Sequence, residues 1–263
     1  MSTFYLYRKA WRFDGAPHQE PELRKEEWKA LLKQGGLMVR NTFDFDCPET
    51  TRFWNLIKDQ FGGLEELSGN TRKKVRRSLE KLEFKHIGID LIKQEGFPIL
   101  KATYKDYAVS DRIMDRRTFD EYLDLCKKKE YDYWGVFDNE KLIGFCANWV
   151  WDDAVEYGLV GILPEYKREC TAYPYYGLFY SMNRYYLQEK GLRYVTDGSR
   201  SITGHSNIQP FLEEKFHFRK SYCRLKVHYT WWMGLAVTIL YPLRKIIAVP
   251  SVKAVLNMEE MQR

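Results

Sequence analysis

The sequence predicts an α/β fold of the α+β kind: a mixed, mainly antiparallel central sheet flanked by helices, with a mixed N-terminal extension. Three observations predict it. Residues 131–163 hold three consecutive β runs joined by tight turns, which makes a meander and therefore antiparallel neighbours. After the meander the chain alternates helix, strand, helix and strand as far as Tyr229. Before it, residues 1–66 mix helical and strand patterns without an internal repeat.

Length and composition suit that class. The chain has 263 residues, 44% hydrophobic and 30% charged. This is ordinary globular usage, with enough chain to bury a sizeable core, and it excludes a disordered or collagen-like protein. Aromatics are abundant: 8 Trp, 19 Tyr and 15 Phe. Lys and Arg number 42 against 36 Asp and Glu, a formal net charge of +6. Such a balance permits an anionic partner, whether a phosphorylated cofactor, a nucleic acid or a lipid surface, and selects none of them. Cysteines stand at 47, 126, 146, 170 and 223, an odd number with no Cys-x-x-Cys pair. Neither a disulfide framework nor a zinc knuckle is expected. The histidines have no H-x-x-x-H spacing, so no metal is expected either. The N-terminus lacks an apolar h-region, and the longest uncharged run, 229–243, is shorter than the ~20 residues of a spanning helix. The expectation is a reduced, cytoplasmic protein.

The elements follow in order. Residues 1–66 form the extension. In it, 26–33 is a short amphipathic helix stopped by Gly35-Gly36, 36–40 a strand, and 48–61 a second helix, with Phe53, Trp54, Ile57 and Phe61 at helical spacing. Residues 67–230 form the main domain. Its first helix, 68–84, has Asn70 or Thr71 as cap and Val75, Leu79 and Leu82 as apolar stripe. Residues 84–93 alternate as a strand, and 101–109 and 118–129 are helical. Within the meander, Asp138-Asn139 and Asp152-Asp153 make the turns. Pro174 opens a helix that Gly191 stops; 192–196 is a strand, 207–215 a helix and 218–229 a last long strand. The tail, 231–263, is apolar, then basic, and helical.

Two stretches in this order resemble the acyltransferase fold of the GNAT superfamily, over roughly residues 70–230. Leu163-Pro164-Glu165-Tyr166-Lys167 is similar to the segment that opens that fold's pyrophosphate loop. Leu212 to Arg219 (LEEKFHFR) is similar to its late helix and strand. The basic helix TRKKVRRSLEKLEF also resembles that of FemAB-type peptidyltransferases, which are tandem versions of the fold. Residues 1–66 are then a reduced remnant or an added element.

The resemblance implies an N-acyltransferase that moves an acyl group from acyl-CoA to an amine by direct attack on the thioester. In the FemAB branch it implies an aminoacyl-tRNA as donor instead, with Arg72, Lys73, Lys74, Arg76 and Arg77 on RNA phosphates. It places the pyrophosphate loop on Lys167, Arg168, Glu169, Cys170, Thr171 and Ala172, with Cys170 where the family's first glycine stands. A helix N-terminus offers unpaired N–H groups to phosphate oxygens there. It also implies that the strand 157–162 presents its backbone to the thioester, with Gly161 and Ile162 as cofactor-binding candidates.

Chemistry adds further candidates. An attacking amine needs a base and N–H donors for the oxyanion. Glu156, at a strand end, is a base candidate or a solvent-facing strand residue. Asp197, Arg200 and His205 share one loop after the strand at 192–196: Asp197 and His205 as bases, Arg200 as a substrate-binding fork for carboxylate or phosphate. Asn207 is a cofactor-binding candidate or a helix cap. Among the aromatics of 173–186, which are core or line an acceptor pocket, Tyr176 is the substrate-binding candidate. A reading of another class is a noncatalytic protein docking on nucleic acid or membrane. Its peripheral membrane contact would lie at Trp231 and Trp232, with Tyr241, Arg244 and Lys245 nearby.

Overall fold

The structure is a computed structural model and describes residues 4–7, 9–105, 114–168, 171–202 and 208–263, with Lys167 and Arg168 described in the backbone alone. In chain order its elements are β1 (Phe4–Tyr7), β2 (Ala10–Phe13), α1 (Lys25–Lys33), β3 (Met38–Phe43), β4 (Phe53–Lys58), α2 (Gly69–Lys81), β5 (Glu83–His86), α3 (Ile89–Leu91), α4 (Phe97–Lys105) and α5 (Arg116–Cys126). There follow β6 (Tyr131–Asp138), β7 (Lys141–Val150), β8 (Ala154–Ile162), α6 (Pro164–Arg168), α7 (Pro174–Asn183), β9 (Tyr194–Ser199), α8 (Ile208–Phe216), β10 (Arg219–Tyr229), α9 (Trp231–Leu240) and α10 (Pro250–Gln262). A π-helical turn, Ile92–Gly96, joins α3 to α4, and another, Arg184–Glu189, extends α7.

The chain folds as two compact units that cross the expected section boundaries: 1–56 with 199–206 and 220–263, and 57–198 with 207–219. The reason is β10. It returns to pair antiparallel with β3, from Arg224↔Phe43 to Tyr229↔Met38. The N-terminal section and the tail are thereby built into one unit. In that unit β1 pairs antiparallel with β2, and β2 parallel with β3. Met38, Phe53, Leu225 and Val227 meet Met258 and Met261 of α10 in its core.

In the other unit, β5 through β9 lie in chain order. The first three ladders are antiparallel, and β8–β9 is parallel. The expected meander is thus present, and the expected mainly antiparallel sheet flanked by helices is the observed architecture. One face carries a core of Ile92, Ile99, Leu100, Phe119, Leu123 and Phe145 from the helices and β7. The opposite face packs α7 through Tyr157, Phe179 and Tyr186, all buried. On α7 rests α2, at a distance only glycine allows: a Cβ on Gly177 would fall 2.4 Å from Ser78 Oγ.

Several local expectations need correction. The helix expected over 48–61 is the strand β4. Phe53, Asn55, Leu56, Ile57 and Lys58 are all buried, so both faces demand burial and the alternation that marks a half-exposed strand is lost. Lys58 tolerates this through an ion pair with Glu66 at 2.9 Å. The strand expected over 84–93 ends at His86, and helix begins at Ile89. The cap of α2 is Ser68, whose Oγ accepts from Thr71 N–H at 3.3 Å; Asn70 and Thr71 lie inside the helix. Leu79 is exposed, and Thr71 and Ser78 complete the buried stripe instead. Asp197 belongs to β9 rather than to a loop.

Candidate active site

The parallel ladder of β8 with β9 pairs Ala154 with Tyr194, Val155 with Val195 and Glu156 with Thr196, and ends there. β8 nevertheless runs on to Ile162 and β9 to Ser199. The strands therefore fork after Glu156.

Two carboxyl groups stand at the fork. Glu156 is on the last rung, and Asp197 follows the partner of Glu156 in β9. Gly198 takes a φ of +76°, and a Cβ on it would lie 3.4 Å from Glu156 Oε1. The turn there is held by Gly198 N–H, which donates to Thr196 Oγ1 at 3.0 Å. Gln209 of α8 donates from Nε2 to the Asp197 carbonyl at 3.3 Å and also hydrogen-bonds its side chain. Burial first, and the charge of Glu156 second, push the Asp197 carboxyl well above the ordinary carboxylate range. The negative charge of Glu156 thus disfavours a second one on Asp197.

β8 alternates its side chains, so Glu156 and Tyr157 face opposite ways. Glu156 shares its face with Trp149, its cross-strand neighbour, and with Tyr131, which neighbours Trp149. The Tyr131 and Trp149 rings stack at 6.3 Å, and Trp151 follows at 4.9 Å. Lys129 Nζ lies 3.9 Å from the Trp149 ring centre, so this row already holds one cation by its aromatic face. On the other face Tyr157 OH donates to Asn183 Oδ1 at 2.7 Å. Nearby, Tyr186 OH accepts from Trp134 Nε1 at 3.1 Å and from Asn148 Nδ2 at 3.2 Å, and donates to Asp132 Oδ2 at 3.2 Å.

Beyond the fork, backbone direction decides what a ligand can touch. Leu163 N–H donates to Ile143 O in the β7 direction. By alternation Gly161 N–H faces β7 as well, and Val160 and Ile162 turn theirs to the side β9 has left. Ile162 N–H is held by Thr103 Oγ1 of α4 at 3.0 Å. That same oxygen lies 2.8 Å from Ile99 O and 3.0 Å from Ile162 O. Gly161 is packed under α4: its Cβ would meet Ile99 Cγ2 at 3.5 Å. Val160 is thus the amide that faces the fork. A bulge lies between it and Glu156. There Gly158 stands where a Cβ would come within 2.5 Å of Ala147 O.

A second cluster forms where α2 meets the start of α7. Arg77 Nη2 donates to Thr171 Oγ1 at 2.6 Å, and Lys74 Nζ to Tyr176 OH at 3.3 Å. Lys74 also lies over the rings of Tyr173 and Tyr176, 5.3 and 5.0 Å from their centres. Tyr173, just before Pro174, is left-handed (φ 53°, ψ 51°), a strained setting for a side-chain-bearing residue. Ser78 Oγ pins it by donating to its carbonyl at 3.0 Å. Arg77 thereby reaches the expected pyrophosphate loop at Thr171, and Lys74 the two tyrosines just after it.

The remaining sequence candidates fall as follows. Thr171 is exposed and Ala172 buried. Cys170, His205 and Asn207 lie outside the described residues, as do the side chains of Lys167 and Arg168. Tyr176 packs edge-on against Phe211 at 5.1 Å, in the α7 cluster rather than beside Glu156. Arg200, in the other unit, donates its backbone N–H to Trp54 O at 2.8 Å and Nη1 to Arg52 O at 2.5 Å. Of the basic helix, Arg72 pairs with Glu65 at 3.0 Å, while Lys73 and Arg76 are exposed. Among the described residues no group of three or more His, Cys, Asp or Glu is placed to hold a metal ion. Sequence reasoning missed Gln209, Thr103 and the Tyr131–Trp149–Trp151 row. The alternating aromatics of Trp149-Val150-Trp151 were a signal for the last; nothing local announced the other two.

No protein-family model matches the chain, and no curated protein matches it. Solved structures do. FemX shares 11% identity over 93% of this chain and 85% of its own, with a TM-score of 0.57. The C-terminal domain (DUF2156) of an Agrobacterium fabrum protein named as a lysylphosphatidylglycerol synthetase shares 14% over 90% and 84%, at 0.52. L-PGS from Bacillus licheniformis shares 11% over 99% and 85%, at 0.50. The likeness is one of fold: the chain shares its architecture with FemX, with that DUF2156 domain and with L-PGS.

Proposed function

We propose that this chain is an acyltransferase that moves an aminoacyl group from an aminoacyl-tRNA to a nucleophilic acceptor. The observation that carries the reading is the fork of β8 and β9 with Glu156 and Asp197 at its base. The resemblance to FemAB-type enzymes and the FemX-like fold support the donor class.

The chemistry follows from the pair. The acceptor's lone pair attacks the ester carbonyl, and the ionised member of the pair takes the acceptor's proton. Charge gathers on the carbonyl oxygen, where an N–H such as that of Val160 stabilises it. The C–O bond to the ribose then breaks. A thiolate leaves unaided, but an alkoxide needs a proton, and Asp197 keeps one to higher pH than a free carboxyl does. A raised carboxyl beside an ionised one suits an oxygen ester better than a thioester. Arg77 and Lys74, set at the start of α7, are the cations for donor phosphates.

A second reading keeps acyl-CoA as donor, with its pantetheine arm along the fork; the parted strands favour it. Filter binding separates the two. Labelled aminoacyl-tRNA should bind, more weakly as salt rises, and Arg77→Glu should weaken it by about ten- to a hundredfold, the worth of a charge-assisted hydrogen bond. Binding of acyl-CoA alone would favour the second reading, and binding of neither donor would overturn both.

A further inference from the structure

The tail holds an apolar surface that the transferase reading does not use. α9 carries no charge and one polar side chain, Thr238, whose hydroxyl is turned back to the Gly234 carbonyl. Its inner side is held, with Val237 buried and Met233 packed on the core of its unit. Its outer side is not covered: Trp231 is 83% exposed and Ile239 60%. Trp231, Leu235 and Ile239 recur at i, i+4 and i+8 and so share a stripe, with Trp232 beside it. Leu243 and Ile246, the latter 78% exposed, carry the apolar run past the helix end. A soluble helix normally turns charge outward, so an apolar outer stripe marks a contact surface.

The charges flanking this stripe say what it contacts. Between Tyr229 and Met258 there is no acidic residue, but there are three cations, Arg244, Lys245 and Lys253. Lys245 and Lys253 are exposed; Arg244 turns toward Glu260 at 3.6 Å. A second copy docked face to face would set Lys245 and Lys253 beside like charges, because the two acids of the tail, Glu259 and Glu260, already face Arg263 and Arg244. A surface of anionic headgroups would accept both features, lysines at the phosphates and indoles at the acyl boundary. No helix among the described residues is long and apolar enough to cross a bilayer, so the contact lies in the plane of the interface.

We propose that the outer stripe of α9 and the segment to Ile246 form a peripheral docking surface for an anionic lipid bilayer. Flotation of the full chain tests this, using phosphatidylcholine vesicles with and without phosphatidylglycerol. The wild type floats with the anionic vesicles, less so in high salt. The double substitution Trp231→Ser with Ile239→Ser lowers the partition coefficient at least about tenfold, and Lys245→Glu with Lys253→Glu lowers it on anionic vesicles alone. All four side chains are exposed, and an unchanged melting curve verifies that each variant is folded. Absence of the wild type from the floated fraction, or equal flotation of wild type and both variants, overturns the proposal. So does a dimer in light scattering that Trp231→Ser with Ile239→Ser dissociates, because a second copy would then be the occupant.

Discussion

Glu156 and Tyr157 are neighbours in β8 and lead opposite lives. Tyr157 is buried under α7, its hydroxyl given to Asn183. Glu156 stands at a fork beside a carboxyl whose charge it disfavours. The first face lowers the energy of the fold, and the second raises it. The contrast teaches that the same strand can supply both because successive side chains part to opposite faces. The packed face fixes the strand in space, and the carboxyl pair is held together by that rigidity rather than by any attraction of its own.

Three experiments test how separate the faces are. The largest effect is expected from Glu156→Gln. It should lower kcat/KM for transfer by about 10²- to 10⁴-fold, the usual contribution of a positioned base, and leave the melting temperature no lower, because it relieves the repulsion with Asp197. A large loss of stability would show that Glu156 belongs to the scaffold after all. Next comes Tyr186→Phe, which removes the acceptor of Trp134 Nε1 and leaves Asn148 Nδ2 with Met182 Sδ alone. Chemical denaturation should show a loss of about 1–3 kcal/mol, with transfer per folded molecule unchanged; a change in kcat would mean the faces communicate.

The smallest effect is one of pH. The folded state raises the Asp197 carboxyl above its ordinary value of 3.8, so between that value and the raised one the folded chain binds more proton than the unfolded. Stability therefore falls as pH rises through that window. Asp197→Asn removes the titration. It should be the more stable protein at neutral pH, with the gap closing as pH drops toward 3.8. A gap independent of pH would show that burial, not ionisation, sets the cost.

The same two faces show what the sequence can express. The meander was legible because β6, β7 and β8 are separated by Asp- and Asn-bearing turns, and these are local. Glu156 and Asp197 were visible as polar residues at or just past strand ends, but not as a pair. Forty residues and two helices lie between them, and only the β8–β9 register brings them together. β4 reads as helix in the sequence because a strand buried on both faces carries no period of two. The basic helix announced its charge and hid its direction. Arg77 and Thr171 meet across 94 positions of chain, a distance over which no spacing rule applies.

Thr103 has no charge and no part in the chemistry, yet it holds the far end of the fork. If the acyl chain of the proposed donor runs from the carboxyls along β8, it would hydrogen-bond at Val160 and then meet an amide already spoken for. The hydroxyl would then act as a stop on a ruler. A preference for short acyl groups over long ones would be set by an uncharged alcohol on a neighbouring helix.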